Sequence, residues 1–256
     1  MSLVTTYQPD GTPTWIDLDV PDIARAREFY RTLFGWEFSR TPTEAGGYTT
    51  CLLRGLPVAG LRPAPASEAP PLWRMYFATQ DCDDTAKRVV DAGGTLLPSP
   101  PGVAALARTA LAKDSVGAEF GLWQGDTHPG CQIVNEPASL VRNDLATPAP
   151  GPARDFYTAV FGFTLDGNDD LPGFDFTFLR RPDGHEIGGI FGDPGASSSA
   201  WQTTFEVADT DALVEGAVAA GGTAGATSDS PYGRTAEITD PFGTRFSVIA
   251  RPVTTG

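Results

Sequence analysis

Side chains that bind metals or act as nucleophiles are scarce in this chain of 256 residues, which has two histidines, His128 and His185, and three cysteines, Cys51, Cys82 and Cys131. No HxxxH, no GxSxG and no paired CxxC occurs, so the familiar metalloprotease, hydrolase and zinc-ribbon readings lack support. An odd number of widely spaced cysteines argues against a disulfide framework and fits a reducing cytoplasm. Basic residues are outnumbered, 18 Lys plus Arg against 32 Asp plus Glu. The net charge of −14 repels phosphate backbones and anionic membranes, so neither nucleic acid nor a membrane is an expected partner. No apolar run approaches the roughly 18 residues of a membrane span. The opening MSLVTTYQPDGTPTW shows neither the basic nor the apolar region of a signal peptide.

What the chain does have is glycine (29), proline (23) and 41% hydrophobic residues, a composition for short elements joined by turns around a packed core. At ~150 residues per domain the length allows two domains. The sequence is in fact written twice. WIDLDVPDIARAREFYRTLFGWEF from Trp15 recurs as RNDLATPAPGPARDFYTAVFGFTL from Arg142. Asp17 pairs with Asp144, Phe29-Tyr30 with Phe156-Tyr157, and Phe34-Gly35 with Phe161-Gly162, all offset by 127. Trp73 pairs with Trp201 and Gly93-Gly94 with Gly221-Gly222 at 128, and Asp114 with Asp240 at 126.

Each copy reads as strand, helix, strands, then strand, helix, strands. The first strands are expected over Thr14–Val20 and Val141–Ala146, each followed by an amphipathic helix that Phe-Gly ends, glycine supplying a left-handed C-cap. Strands are expected at Trp36–Arg40, Tyr48–Arg54 and Val58–Leu61, with counterparts at Phe163–Asp166, Phe174–Arg180 and Glu186–Phe191. Second helices are expected over Asp83–Ala92 and Thr210–Ala220, closed by Gly-Gly.

Three segments resemble the vicinal oxygen chelate superfamily of glyoxalase I, bleomycin-resistance proteins, fosfomycin-resistance enzymes and extradiol dioxygenases. They are the strand-to-helix stretch ending FYxxLFGW, the AGL or GGI strand after the hairpin, and D-x-x-G-x-x-F on the last strand. The linker HPGCQIVNEPASL is similar to that of two-module members. The resemblance implies an α+β fold of two tandem glyoxalase-like modules, each of paired βαβββ units forming a cupped mixed sheet with helices outside. The expected boundaries are 10–124, a linker at 125–140, and 141–254.

It also implies four metal positions, one on the first and one on the last strand of each module. Here they fall on Asp17, Asp144, Gly121 and Ser247. Glycine has no donor atom and serine is a poor ligand for first-row metals. The expectation is therefore no metal and no other cofactor; if a divalent ion binds, Asp17, Glu119 and Asp144 are the candidates. Asp17 and Asp144 either act as general bases and polar ligand contacts or pair with an arginine such as Arg142 or Arg245 to hold the sheet. His185 forms an acid/base pair with Glu186 if it turns into the cup, and is a solvated turn residue otherwise; His128 reads as structural.

Alternation puts Trp15, Asp17 and Asp19 on one face of the first strand, and Glu119, Gly121 and Trp123 on one face of the last. With Trp36, Tyr48 and Trp73 they are expected to wall a cup suited to a flat or cationic guest, Gly121 leaving room for it and Arg142 and Ser247 joining from the second copy. The leading expectation is a metal-independent protein that binds a small aromatic molecule, for drug sequestration or a secondary-metabolism transformation. The alternatives are a divalent-metal lyase, isomerase or dioxygenase, and a non-enzymatic interaction protein. One chain can build a full cup, so monomer and homodimer both remain open.

Overall fold

A computed structural model describes residues 2–39, 47–67, 69–98, 106–125, 128–167 and 173–252. Arg40 at the end of one expected strand, residues 126 and 127 of the expected linker, and the end of the second expected module beyond 252 lie outside the described residues. The elements run β1 (Ser2–Leu3), β2 (Pro13–Val20), α1 (Ile23–Phe34), β3 (Glu37–Phe38), β4 (Thr49–Leu53), β5 (Leu56–Pro63), β6 (Arg74–Ala78), α2 (Cys82–Asp91), β7 (Thr95–Leu97), β8 (Ala107–Lys113) and β9 (Glu119–Gly125). The chain continues with β10 (Ile133–Val134), β11 (Leu140–Thr147), α3 (Pro150–Phe161), β12 (Thr164–Gly167), β13 (Phe176–Arg180), β14 (Glu186–Gly192), β15 (Ala200–Glu206), α4 (Thr210–Ala219), β16 (Thr223–Ala224), β17 (Ser228–Ser230), β18 (Gly233–Thr239) and β19 (Arg245–Ala250).

Among the described residues these strands form two mixed sheets, one per module. The first has the order β3-β4-β5-β2-β6-β9-β8-β7, and the second follows the path β12-β13-β14-β11-β15-β19-β18-β16. In each, two βαβββ units meet at a central antiparallel pair, β2 with β6 and β11 with β15. Each unit closes through a parallel pair, β2 with β5 and β6 with β9 in the first sheet. The second sheet gains a patch absent from the sequence reading: β1 pairs with β10, and β10 lies parallel to the start of β11. Part of the linker is thus sheet.

Local chemistry sets the helix ends. The Asp22 carboxylate accepts from the Arg25 amide, Asp81 from Asp83 and Asp84, and Asp209 from Ala212. α3 instead begins with Pro150, whose missing N–H is no loss in a first turn. Gly35 and Gly162 close α1 and α3 at φ 66° and 69°, the left-handed region a glycine occupies without penalty.

The helices lie outside the cups, in the seam between the two sheets. The repeated Phe-Tyr and Asp-x-x-Gly motifs meet there reciprocally. Tyr30 donates to Asp240 Oδ2 at 2.9 Å, and Tyr157 donates to Asp114 Oδ2 at 2.9 Å. The other oxygen of each aspartate holds its own turn, accepting from Val116 and Ala118 or from Phe242 and Thr244. Gly222 and Gly94 bring the backbone close to the opposite module, where a Cβ would stand 2.9 Å from the Phe29 ring and 3.0 Å from the Phe156 ring. Arg25 donates to the Ala220 carbonyl at 2.6 Å and Arg88 to the Val160 carbonyl at 2.5 Å, so arginines from both halves of the first module cap helical carbonyls of the second.

Removing either tyrosine hydroxyl strips a buried carboxylate of a donor. Tyr30→Phe and Tyr157→Phe are each expected to lower the urea unfolding free energy by about 1–3 kcal/mol, and to add in the double variant because the clasps are separate. Unchanged stability in both would show that the clasps do not hold the modules together.

Candidate functional site

Strand register makes the two cups directly comparable. In the first, Asp17 lies between Gly60 on β5 and Arg74 on β6, and the next row runs Trp15, Tyr76, Gly121. In the second, Asp144 lies between Gly189 on β14 and Gln202 on β15, and the next row runs Arg142, Thr204, Ser247. The same positions therefore carry bulky rings in one cup and shorter or charged side chains in the other.

The first cup is filled by its own side chains. Trp15, Asp17 and Tyr76 are 0% exposed, Tyr48 1% and Trp123 2%. Trp15 Nε1 donates to the Tyr48 hydroxyl at 2.8 Å. Tyr76 donates to Asp17 Oδ2 at 2.8 Å, and Arg74 reaches Asp17 Oδ1 at 3.1 Å. Burial pushes the Asp17 carboxyl above its usual range, with Arg74 the largest opposing influence. Burial likewise raises the Tyr48 and Tyr76 hydroxyls well above the usual value, so both stay protonated donors. Further out, Arg62 pairs with Asp19, and Glu119 lies 3.4 Å from Lys113 and 4.0 Å from Arg74.

Three expectations are corrected here. The space expected above Gly121 is occupied, since a Cβ there would overlap the Tyr76 ring. Trp36 and Trp73 do not wall the cup; they pack on the helix side, where Trp36 contacts Tyr30, Phe34 and Phe205 and Trp73 contacts Tyr30 and Phe205. Trp15 and Trp123 do face the cup, but as wall-to-wall core with centroids 5.3 Å apart and no open face to offer a guest. His128 sits edge-on to both indoles; burial lowers its pKa to about 4, and its Nδ1 accepts from the Gly130 amide at 3.1 Å.

The second cup is open. Arg142, Asp144, Phe176, Phe178, Thr204 and Ser247 are half-buried, and Gln202 is exposed. Arg142 Nε donates to Asp144 Oδ2 at 2.7 Å and Nη1 to Glu186 Oε1 at 2.8 Å, and Arg180 reaches Glu186 Oε2 at 3.4 Å. The Arg142 guanidinium stands 5.7 Å from the ring centres of both Phe176 and Phe178. Burial raises the Asp144 carboxyl, opposed first by Arg142. His185 is exposed at the turn before β14, outside the cup, and lines a cavity beside it.

Arg74 and Arg62 went unremarked in the sequence, although i,i+2 alternation from Arg74 to the aromatic Tyr76 places both opposite Asp17 and Trp15. Phe176 and Phe178 alternate within the expected strand Phe174–Arg180, which sets both on one face.

The donor set does not fit a divalent metal. Asp17 is sealed beneath a guanidinium and a phenol, Asp144 is bound by Arg142, Gly121 supplies no atom, and Ser247 supplies a hydroxyl. Among the described residues no group of three or more His, Cys, Asp and Glu side chains is placed to hold an ion.

Residues 15–123 match the Glyoxalase-like domain, and residues 139–248 match the Glyoxalase/Bleomycin resistance protein/Dioxygenase superfamily. CFP32 of Mycobacterium tuberculosis (strain CDC 1551 / Oshkosh), named provisionally as a glyoxylase, is 37% identical over 93% of this chain and 94% of its own. The chain belongs to the glyoxalase/bleomycin resistance protein/dioxygenase superfamily. The Anthracycline biosynthesis protein DnrV of Streptomyces peucetius is 36% identical over 96% of this chain and 95% of its own. Among solved structures, 2,2',3-trihydroxybiphenyl 1,2-dioxygenase from Sphingomonas wittichii strain RW1 superposes with TM-score 0.64 at 16% identity, covering 94% of this chain and 91% of that one. The Mn(II)-bound glyoxalase from Novosphingobium aromaticivorans gives 0.62 at 18%, covering 93% and 82%. At these identities the likeness is one of fold.

Filling in the first cup has a measurable consequence. Gly121→Ala forces Tyr76 off its position and is expected to destabilise the protein by about 1–3 kcal/mol. Arg74→Met leaves Asp17 buried without its cation and is expected to cost about 3–5 kcal/mol. Neutral behaviour of both in thermal or urea melts would show that this cup is not packed core.

Proposed function

We propose that the chain is a metal-independent superfamily member that binds a planar, oxygen-substituted aromatic molecule in its second cup, for sequestration or for a transformation in secondary metabolism. The observation that carries the reading is Arg142. It is held by two carboxylates and faces two half-buried phenylalanine rings in the one cup whose wall is open. The planes of Phe176 and Phe178 are 71° apart, so a flat ring system stacks on one and meets the other edge-on, while the guanidinium donates to a ring carbonyl or phenolate oxygen. Asp144 and Glu186 fix the guanidinium's orientation before the ligand arrives, so little ordering is left to be done on binding.

The relatives fit this chemistry, since the name of one of them assigns it to anthracycline biosynthesis. Proton transfer is within reach of the same site. Asp144, its carboxyl raised by burial, is the group placed to accept a proton from a bound ring. Asp17 is locked beneath Arg74 and Tyr76, and His185 lies outside the cup, so neither is assigned a catalytic part.

Three buried free thiols, Cys51, Cys82 and Cys131, fit a cytoplasmic setting. Among the described residues no helix is long and apolar enough to cross a membrane. Each cup is built from a single chain, so the site needs no second copy.

Elemental analysis of protein purified without chelator is expected to find only substoichiometric metal, and binding of a planar hydroxyquinone is expected to survive EDTA. One tightly held divalent ion per chain would overturn the reading. Arg142→Ala is expected to weaken binding about ten- to a hundredfold by calorimetry, the loss of a charge-assisted hydrogen bond and a cation–π contact. Protonating Asp144 removes an anion that orients Arg142. Affinity is therefore expected to fall as pH drops through its raised pKa, beginning above the ordinary carboxylate range, and Asp144→Asn should lack that transition. An identical pH profile in the variant would remove Asp144 from the account.

A further inference from the structure

Compared row by row, the two cups differ most in how their charges are matched. One row of the first cup runs Asp17, Arg74, Glu119, Lys113, and each member has an opposite charge within 4.0 Å. Glu119 stands between two cations, 4.0 Å from Arg74 and 3.4 Å from Lys113. In the second cup the same row runs Asp144, Gln202, Arg245, Thr239. Asp144 lies opposite Gln202 and Arg245 opposite Thr239. β15 and β19 run parallel with Thr204 beside Ser247, which sets Gln202 beside Arg245 two residues earlier. Arg245 therefore replaces Glu119 with the sign reversed, and neutral side chains replace both of the charges that Glu119 pairs with.

Arg245 faces the cup. Phe246 and Val248 are buried on the helix side, which leaves Arg245 and Ser247 on the opposite face of β19. The sequence offered Arg245 as a partner for Asp144, but Arg142 on the aspartate's own strand takes that place. Glu237 lies in the next row, opposite Ser247, and forms no ion pair with Arg245. Among the described residues Arg245 is the one lysine or arginine without an ion pair, a hydrogen bond or a ring contact. In a chain with 32 acidic residues for 18 basic ones, an unmatched cation is the exception. It is exposed, at the rim of the open cup and beside the half-buried Ser247 and Thr239.

We propose that Arg245 receives a carboxylate carried by the aromatic molecule whose rings lie in the second cup, so that the ligand is an aromatic acid. The strands of Arg142 and Arg245 are two strand spacings apart, about 10 Å. A fused ring system bridges that span with its oxygen at one guanidinium and its carboxylate at the other. A single guanidinium among the neutral donors Gln202, Thr239 and Ser247 matches a monoanion. A phosphate dianion would keep a charge that a chain of net −14 repels. The inference rests on the reading of the second cup given above and adds the ligand's charge to it.

Rhein, aloe-emodin and chrysophanol share one dihydroxyanthraquinone and differ in a single substituent: a carboxylate, a hydroxymethyl and a methyl group. By calorimetry in EDTA at neutral pH, the wild-type chain is expected to bind rhein about five- to tenfold more tightly than either neutral compound. That advantage is expected to shrink as salt is raised. Arg245→Gln is expected to erase it, bringing rhein to the affinity of aloe-emodin. Arg245→Glu, which puts the first module's residue there, is expected to make rhein the weakest of the three. The substitutions fall at an exposed position, and the salt series on the wild type tests the same contact without any variant. Equal affinities of the wild type for rhein and aloe-emodin, a salt-independent advantage, or one retained in Arg245→Gln, would overturn the proposal while leaving the cup reading intact. Failure of all three compounds to bind, or aloe-emodin binding indifferent to Arg142→Ala, would overturn the cup reading and this proposal with it.

Discussion

A carboxylate on the first strand of each module, sealed in one and half-buried in the other, must find a cation, and where that cation comes from decides what each cup can do. In the first module Arg74 reaches Asp17 from directly across the central strand pair, and Tyr76 closes over the remaining oxygen. The pair sits at the bottom of a stack of rings and is sealed. In the second module the position opposite Asp144 is Gln202, and the guanidinium comes from Arg142 on the same strand. That relocation puts a cation where the first module has Trp15. Together with Thr204 in place of Tyr76, it leaves the second cup unfilled.

Duplication allows this division of labour. A sheet whose cup is packed with its own aromatic side chains gains core, and the partner module is then free to keep an unfilled, polar wall. The seam between them is reinforced by the reciprocal Tyr–Asp clasps and by two arginines of the first module that cap helical carbonyls of the second. The stabilising parts of the molecule lie in the first cup and the seam, and the adaptable parts lie in the second cup and along its edge.

Much of this was readable in the sequence, and the reasons differ by residue. The near-constant offset marked the two modules, and Gly35 and Gly162 announced helix ends because capping is a local matter of a few atoms. The Asp17 and Asp144 equivalence was visible for the same reason. Side-chain facing was less secure. Trp73 and Tyr76 differ by an odd number of residues on adjoining extended chain, so they cannot both face the cup; parity alone assigns Trp73 to the helix side. Trp36 follows a left-handed glycine, where alternation has no phase to inherit. The β1–β10 patch was invisible because two-residue strands carry no period. That Tyr76 would occupy the space over Gly121 depends on strand register between β6 and β9, which only the folded sheet supplies.

The most direct measurement is a crystal structure of the protein grown with manganese and a planar hydroxyquinone, with anomalous data collected to find the metal. The account predicts ring density in the second cup against Arg142, Phe176 and Phe178, and no ordered cation between the first and last strands of either module. A cation ligated by Asp17 or Asp144, or rings lodged among the tryptophans of the first cup, would contradict it.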